Sequence, residues 1–219
     1  SLLKQRLPEE TTLIGFAGSP WTVATYMIAG RGTPDQGPAH ALKQNDIIAF
    51  QGLLDVIVEA TIDYLASQVE HGAEVLQLFD SWAGSLIGED FDRFCIAPNK
   101  LIIDGLRARG ITTPIIGFPR GAKDRYVDFA TETGVQAISI DQDIRLSSVI
   151  ADLPDTVVSQ GNLDPLCLID GGLNMFSQID DIIEATKGRR HIFNLGHGIT
   201  QHTPPHHVSE LVDYIRNKG

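Results

Sequence analysis

His197 is held between Gly196 and Gly198 directly after an apolar run. A backbone that turns sharply on glycines after a strand aims an imidazole into the mouth of a site, so this residue reads as ligand-facing. Three further histidines, His202, His206 and His207, crowd the same stretch. His202 and His206 have the i, i+4 spacing of two metal ligands on one helix face, but Pro204 and Pro205 between them prevent a continuous helix. Neither cysteine lies nearby, so these histidines read as solvated or capping groups and no metal is expected. Ser19, in Gly18-Ser19-Pro20, and Ser81, in Asp80-Ser81-Trp82, lack the GxSxG elbow of a nucleophile. Each is either a cap or a hydroxyl that hydrogen-bonds a substrate. Asp80, Asp141 and Asp164 could act as acid or base, although Asp164 before Pro165 reads as a helix N-cap and Asp141 as a turn residue. Tyr26, downstream of Trp21, either fills the core or seats a flat ligand with its polar tip. The stretch Gly30-Arg31-Gly32-Thr33-Pro34 lacks the third glycine of a dinucleotide fingerprint and follows no strand directly, and GxxxxGK[ST] does not occur, which argues against a nucleotide cofactor.

Such residues need a scaffold that gathers the ends of several segments. Short apolar strand candidates alternate along the chain with longer segments of helical period, the pattern of βα units. Strands are expected at 12–16, 74–79, 114–118, 137–140, 156–160 and 191–194. A helix over 46–68 carries Ile47, Phe50, Leu54, Ile57, Ile62 and Leu65 at helical spacing and stops by Gly72. Phe91, Phe94 and, past Pro98, Ile102 and Leu106 mark the next helical segment, and others are expected at 123–132 and 146–150. A split pair follows, opened by Asp164 and marked by Ile179, Ile182 and Ile183; the last helix starts near Pro205 and buries Val208, Leu211, Val212 and Ile215. Polar and glycine residues gather after each strand, the face on which parallel α/β proteins bind ligands. The stretch 18–45, rich in Gly and Pro, reads as a lid or binding loop. Six units in 219 residues come close to the ~31 residues per unit of an eight-unit barrel. The expected class is α/β, a single domain over 1–219, as an open sheet or as six units of a longer (β/α)8 barrel.

Composition narrows the partners. With 28 acidic against 17 basic side chains and a net charge of −11, the chain lacks the clustered cations that nucleic acid needs. Its apolar runs fall far short of the ~20 residues that span a bilayer. The opening SLLKQRLPEE has no basic region followed by an apolar stretch, and Cys95 and Cys167 stand apart without CxxC spacing. A cytoplasmic compartment with reduced thiols is expected.

Four motifs, in order, carry a family resemblance. They are Leu13-Ile14-Gly15-Phe16-Ala17-Gly18-Ser19-Pro20-Trp21-Thr22-Val23-Ala24-Thr25-Tyr26-Met27, Phe79-Asp80-Ser81-Trp82-Ala83-Gly84, Gln160-Gly161-Asn162-Leu163-Asp164-Pro165, and Asn194-Leu195-Gly196-His197-Gly198-Ile199. Together they resemble the uroporphyrinogen decarboxylase family over essentially the whole chain. The resemblance implies a (β/α)8 TIM barrel, incomplete here with about six of eight βα units, and a homodimer. It implies a lyase of heme and porphyrin biosynthesis that converts the four acetate side chains of uroporphyrinogen III to methyls without metal or prosthetic group. It also implies that Tyr26, Ser81 and His197 bind substrate carboxylates. The family's arginine-rich motif and pyrrole-binding aspartate would lie upstream of residue 1, so residues 1–219 alone are expected to be inactive. Two alternatives are a zinc-dependent corrinoid:thiol methyltransferase of the same superfamily and a non-catalytic porphyrin-binding fragment.

Overall fold

A computed structural model of the chain describes residues 2–218. The chain divides into two compact units, residues 1–138 and 139–219. The first runs α1 (Leu2–Arg6), β1 (Ile14–Gly18), α2 (Pro20–Ala29), α3 (Gly37–Asn45), α4 (Ile47–Glu70), β2 (Val75–Asp80), α5 (Glu89–Phe91), a π-helical turn (Asp92–Ile96), α6 (Ala97–Ala108), β3 (Ile115–Pro119), α7 (Tyr126–Thr133) and β4 (Ala137–Ser139), whose last residue falls in the second unit. The second continues with α8 (Leu146–Asp152), β5 (Val158–Leu163), α9 (Cys167–Asp170), α10 (Gly172–Ala185), β6 (His191–Leu195) and α11 (Pro205–Arg216).

In the first unit the strands lie side by side in chain order and in parallel, with Ile14 opposite Val75, Leu76 opposite Ile115 and Ile116 opposite Ala137. Each parallel pair is joined by helices, as a crossover requires. β3 is buried at all five positions, whereas β1 alternates, leaving Phe16 59% exposed. The side-chain amide of Gln68 on α4 occupies this edge: its Oε1 accepts from Phe16 N–H at 2.7 Å and its Nε2 donates to Phe16 C=O at 2.9 Å. That satisfies two backbone groups that an edge strand otherwise presents to other chains.

The long α4 follows the expected 46–68 closely. Asp46 caps it by accepting from Ala49 N–H at 3.0 Å, and Phe50, Leu54, Ile57, Ile62 and Leu65 are all buried. Gly72, at φ +103°, lies just past its end. The stretch 18–45, in contrast, is mostly helical and not a loop. It holds α2 and α3, and only about residues 30–36 are irregular. The prolines and glycine that suggested a loop are helix punctuation: Pro20 and Pro38 sit in first turns, where a missing N–H costs nothing, and Gly30 ends α2 in the left-handed conformation. The helical segment around Pro98 is likewise continuous but widened. Proline cannot donate to the carbonyl one turn back, and the π-helical turn falls just before it. There the Asn99 side chain donates to Cys95 C=O at 2.8 Å.

An aromatic cluster ties these helices together. Trp21 packs edge-on to Phe50 at 5.8 Å between centroids, and Phe50 packs on Phe94 at 5.4 Å.

In the second unit β5 and β6 pair in parallel, with Ser159 opposite His191. β5 extends to Leu163, so Gly161-Asn162 lies within the strand and not in a loop after it. The expected stripe on α11 is only partly buried: Leu211 is buried, while Val208, Val212 and Ile215 are half-buried. Tyr214 supplies much of the missing attachment, stacking on Phe176 at 4.3 Å and donating to Asp180 at 3.0 Å. Asp164 accepts from Leu166 N–H at 2.9 Å and so forms an Asx turn ahead of α9.

Replacing Phe50 by Ala removes the middle ring of the aromatic cluster; urea denaturation is expected to show a loss of about 3–4 kcal/mol.

Candidate functional site

In the first unit the carboxyl ends of β1 and β2 and the start of α2 are fastened to one another. Ser19 is fully buried; its N–H donates to Phe79 C=O at 2.8 Å and its hydroxyl to Asn99 Oδ1 at 2.7 Å. Ser19 is therefore neither a nucleophile nor a side-chain cap but a strut between β1 and α6. Thr22 donates to Asp80 Oδ1 at 2.6 Å and accepts from Trp82 N–H at 3.1 Å. Trp21 reaches across from the same helix, donating from Nε1 to Trp82 C=O at 3.0 Å.

Two of the three expected binding residues emerge on this framework. Tyr26 lies one helical turn beyond Thr22 and is 44% exposed, with its ring 6.4 Å from that of Trp82. Ser81 is half-buried in the turn between Asp80 and Trp82. The turn lies close against the one that follows β3. Gly84 N–H donates to Arg120 C=O at 2.9 Å, and a Cβ on Gly84 would stand 3.0 Å from the Gly121 Cα. Only glycine on both sides allows that approach. Arg120 N–H also donates to Asp80 C=O at 3.1 Å, which sets a cationic residue at the end of β3 next to the end of β2. Sequence reading passed over Thr22, Asn99 and Arg120. Thr22 carried one usable signal, its i, i+4 relation to Tyr26 on an N-terminal helical turn.

His197 belongs to the second unit. It is exposed, in the bend that follows β6. Gly196 is required there, since a Cβ would lie 2.3 Å from Gln142 N in the loop after β4. The same loop is held by Asn162, whose side chain donates to Asp141 C=O and Ile144 C=O at 2.9 Å each. Asp141 accepts from Asp143 N–H at 3.0 Å, the turn role its type suggested. Of the other crowded histidines, His207 bonds Leu168 C=O at 2.8 Å and packs against His206, while His202 is exposed.

The titration of the buried groups follows their surroundings. Asp80 is fully buried, and burial pushes its carboxyl up to about 6 against the pull of the Thr22 hydrogen bond. The Cys95 and Asn99 side chains pull in the same direction as Thr22, and burial outweighs them all. His191 is held low by burial, its Nδ1 at 2.8 Å from Ser159 Oγ and its Nε2 at 2.8 Å from Gly161 C=O. Burial raises both thiols, Cys167 to about 11 and Cys95 well above its ordinary value, so neither is an activated nucleophile. Among the described residues no three His, Cys, Asp or Glu side chains cluster as metal ligands, and no helix is long and apolar enough to cross a membrane.

Parallel strands alternating with helices, with polar residues collected at their carboxyl ends, define a (β/α)8-barrel protein of which six units are present. A methyltransferase from Methanosarcina mazei shares this fold, with a TM-score of 0.82 over 99% of this chain and 62% of its own, at 18% identity. The particular family is set by sequence. The family model "Uroporphyrinogen decarboxylase (URO-D)" matches residues 1–218. Proteins named uroporphyrinogen decarboxylase from Paracoccus denitrificans (strain Pd 1222) and Jannaschia sp. (strain CCS1) are each 52% identical, over 98% and 99% of this chain. The chain belongs to the uroporphyrinogen decarboxylase family. It spans 63% of the length of those two relatives.

Asp80 makes a signed prediction. Between its unfolded value of 3.8 and its folded value of about 6, the native state holds a proton that the unfolded state has released. Its contribution is therefore fully present at low pH and is lost as pH rises through that window. Urea midpoints measured from pH 4 to 7 should show Asp80→Asn gaining on the parent as pH rises to about 6, with a constant difference above it.

Proposed function

We propose that this chain serves a cofactor-independent carboxy-lyase that decarboxylates the four acetate side chains of uroporphyrinogen III to give coproporphyrinogen III. The observation that supports it most is the half-identity to uroporphyrinogen decarboxylases along nearly the whole chain. In this reading the Tyr26 phenol, the Ser81 hydroxyl and the His197 imidazole hydrogen-bond the carboxylates of the substrate. Each belongs to a segment at the carboxyl end of a parallel strand. Arg120, at the end of β3, adds positive charge where a chain of net charge −11 must receive a polyanion.

The chemistry needs no external electron sink. A proton adds to the pyrrole α-carbon next to the one that bears the acetate, giving a cation conjugated with the acetate-bearing position. The bond from the acetate methylene to its carboxylate then breaks, carbon dioxide leaves, and the electron pair neutralises the ring. Loss of the ring proton and protonation of the exocyclic carbon complete the methyl group, with one proton consumed for each carbon dioxide released. A substrate that supplies its own sink asks the protein for placement and charge stabilisation.

A homodimer and a cytoplasmic location complete the proposal. The methyltransferase alternative has only a fold likeness behind it, and both thiols that could hold zinc are buried with raised pKa values.

The protein expressed from its whole reading frame, incubated anaerobically with uroporphyrinogen III, should give coproporphyrinogen III by chromatography of the oxidised products. His197→Ala should raise KM about tenfold, the worth of one charge-assisted hydrogen bond. Absence of product from the parent protein would sink the reading.

A further inference from the structure

We propose that Asp80 and Thr22 form a buried strut that sets Ser81 against Tyr26 and thereby governs how tightly the site takes substrate carboxylates. The proposal rests on the reading above that Ser81 and Tyr26 bind those groups.

Ser81 is bracketed by two residues that α2 grips. On one side Asp80 Oδ1 accepts from the Thr22 hydroxyl at 2.6 Å. On the other, Trp82 gives its N–H to the same hydroxyl at 3.1 Å and receives the Trp21 indole N–H on its carbonyl at 3.0 Å. Ser85 Oγ donates to that carbonyl as well, at 2.8 Å. Both backbone polar groups of Trp82 are thus held from residues 21 and 22, and Tyr26 stands one turn further along the same helix. A hydroxyl is needed for this, because it donates and accepts at once.

The cost of the arrangement suggests selection for more than folding. Asp80 is fully buried, and taking a carboxyl group out of water works against stability even where hydrogen bonds partly offset it. An apolar side chain would avoid that cost but would leave the Thr22 hydroxyl without its acceptor. The backbone N–H of Trp82 would then meet a hydroxyl free to rotate away, and Ser81 would lose a fixed offset from Tyr26.

Thr22→Val preserves volume and removes donor and acceptor together; Thr22→Ser keeps both. In the protein expressed from its whole reading frame, Thr22→Val should raise KM for uroporphyrinogen about tenfold with kcat within about twofold, and Thr22→Ser should restore KM. A variant that merely lost stability would lower the active fraction and hence kcat. Asp80→Leu is the second variant and should give the same rise in KM. Hydrogen exchange at the Trp82 amide supplies a readout independent of the reaction, and it should be faster in both Thr22→Val and Asp80→Leu than in the parent. Unchanged exchange at Trp82 in both variants, or unchanged KM in both, overturns the strut. If the parent turns over no uroporphyrinogen, the functional reading fails and exchange at Trp82 alone decides the strut.

Discussion

Burying a carboxyl group at the end of a strand is tolerable only where the surroundings supply hydrogen bonds, and the first unit is organised around doing so for Asp80. Thr22 comes from α2. Asn99, which binds Ser19, comes from α6, at the point where the π-helical turn and Pro98 have shifted the helical ladder. Once Ser19, Thr22 and Trp21 are engaged at the strand ends, the course of α2 is set. Trp21 goes into the aromatic cluster with Phe50, and Tyr26 comes out toward solvent. The buried acid and the exposed phenol are two consequences of one placement.

Parallel strands put every following turn on the same side, which is why chemistry can collect there, but they do not decide how near the turns come to one another. Close approach is decided by glycine. Gly84 meets Gly121 across the turns after β2 and β3, and Gly196 meets the Gln142 backbone across those after β6 and β4. These contacts bring backbone to backbone with no side chain between, so the functional residues beside them are carried on stiff supports.

Charge is arranged with similar economy. Many cations are engaged in structural pairs: Lys43 with Asp90, Arg125 with Asp92 and Asp128, Arg189 with Asp155, Lys218 with Asp180. Where both partners reach solvent, as in Lys218 with Asp180, such pairs are screened and contribute little stability. Their larger effect is to hold positive charge on the helical layer. Arg120 stands apart from them at the end of β3, beside the turn that bears Ser81.

Much of the fold was legible from periodicity, because burial of one helical stripe or of a whole parallel strand leaves a local pattern. The strands matched within a few residues, and α4 matched almost to its ends with its Asp46 cap. Gly and Pro misled at 18–45, since the same residues mark helix ends and loops, and only neighbouring contacts tell which. His197 could be chosen from its glycine neighbours, and Tyr26 and Ser81 from a resemblance carried by their motifs. Thr22 and Asn99 could not be found that way. A hydroxyl or an amide has no function until its partners are known, and theirs, Asp80, Trp82 and Ser19, lie 58, 60 and 80 residues away. Sequence by itself determined which segments fold and which family they belong to. Tertiary structure alone decided which polar atoms meet, because hydrogen bonds act over about 3 Å in space and are blind to distance along the chain.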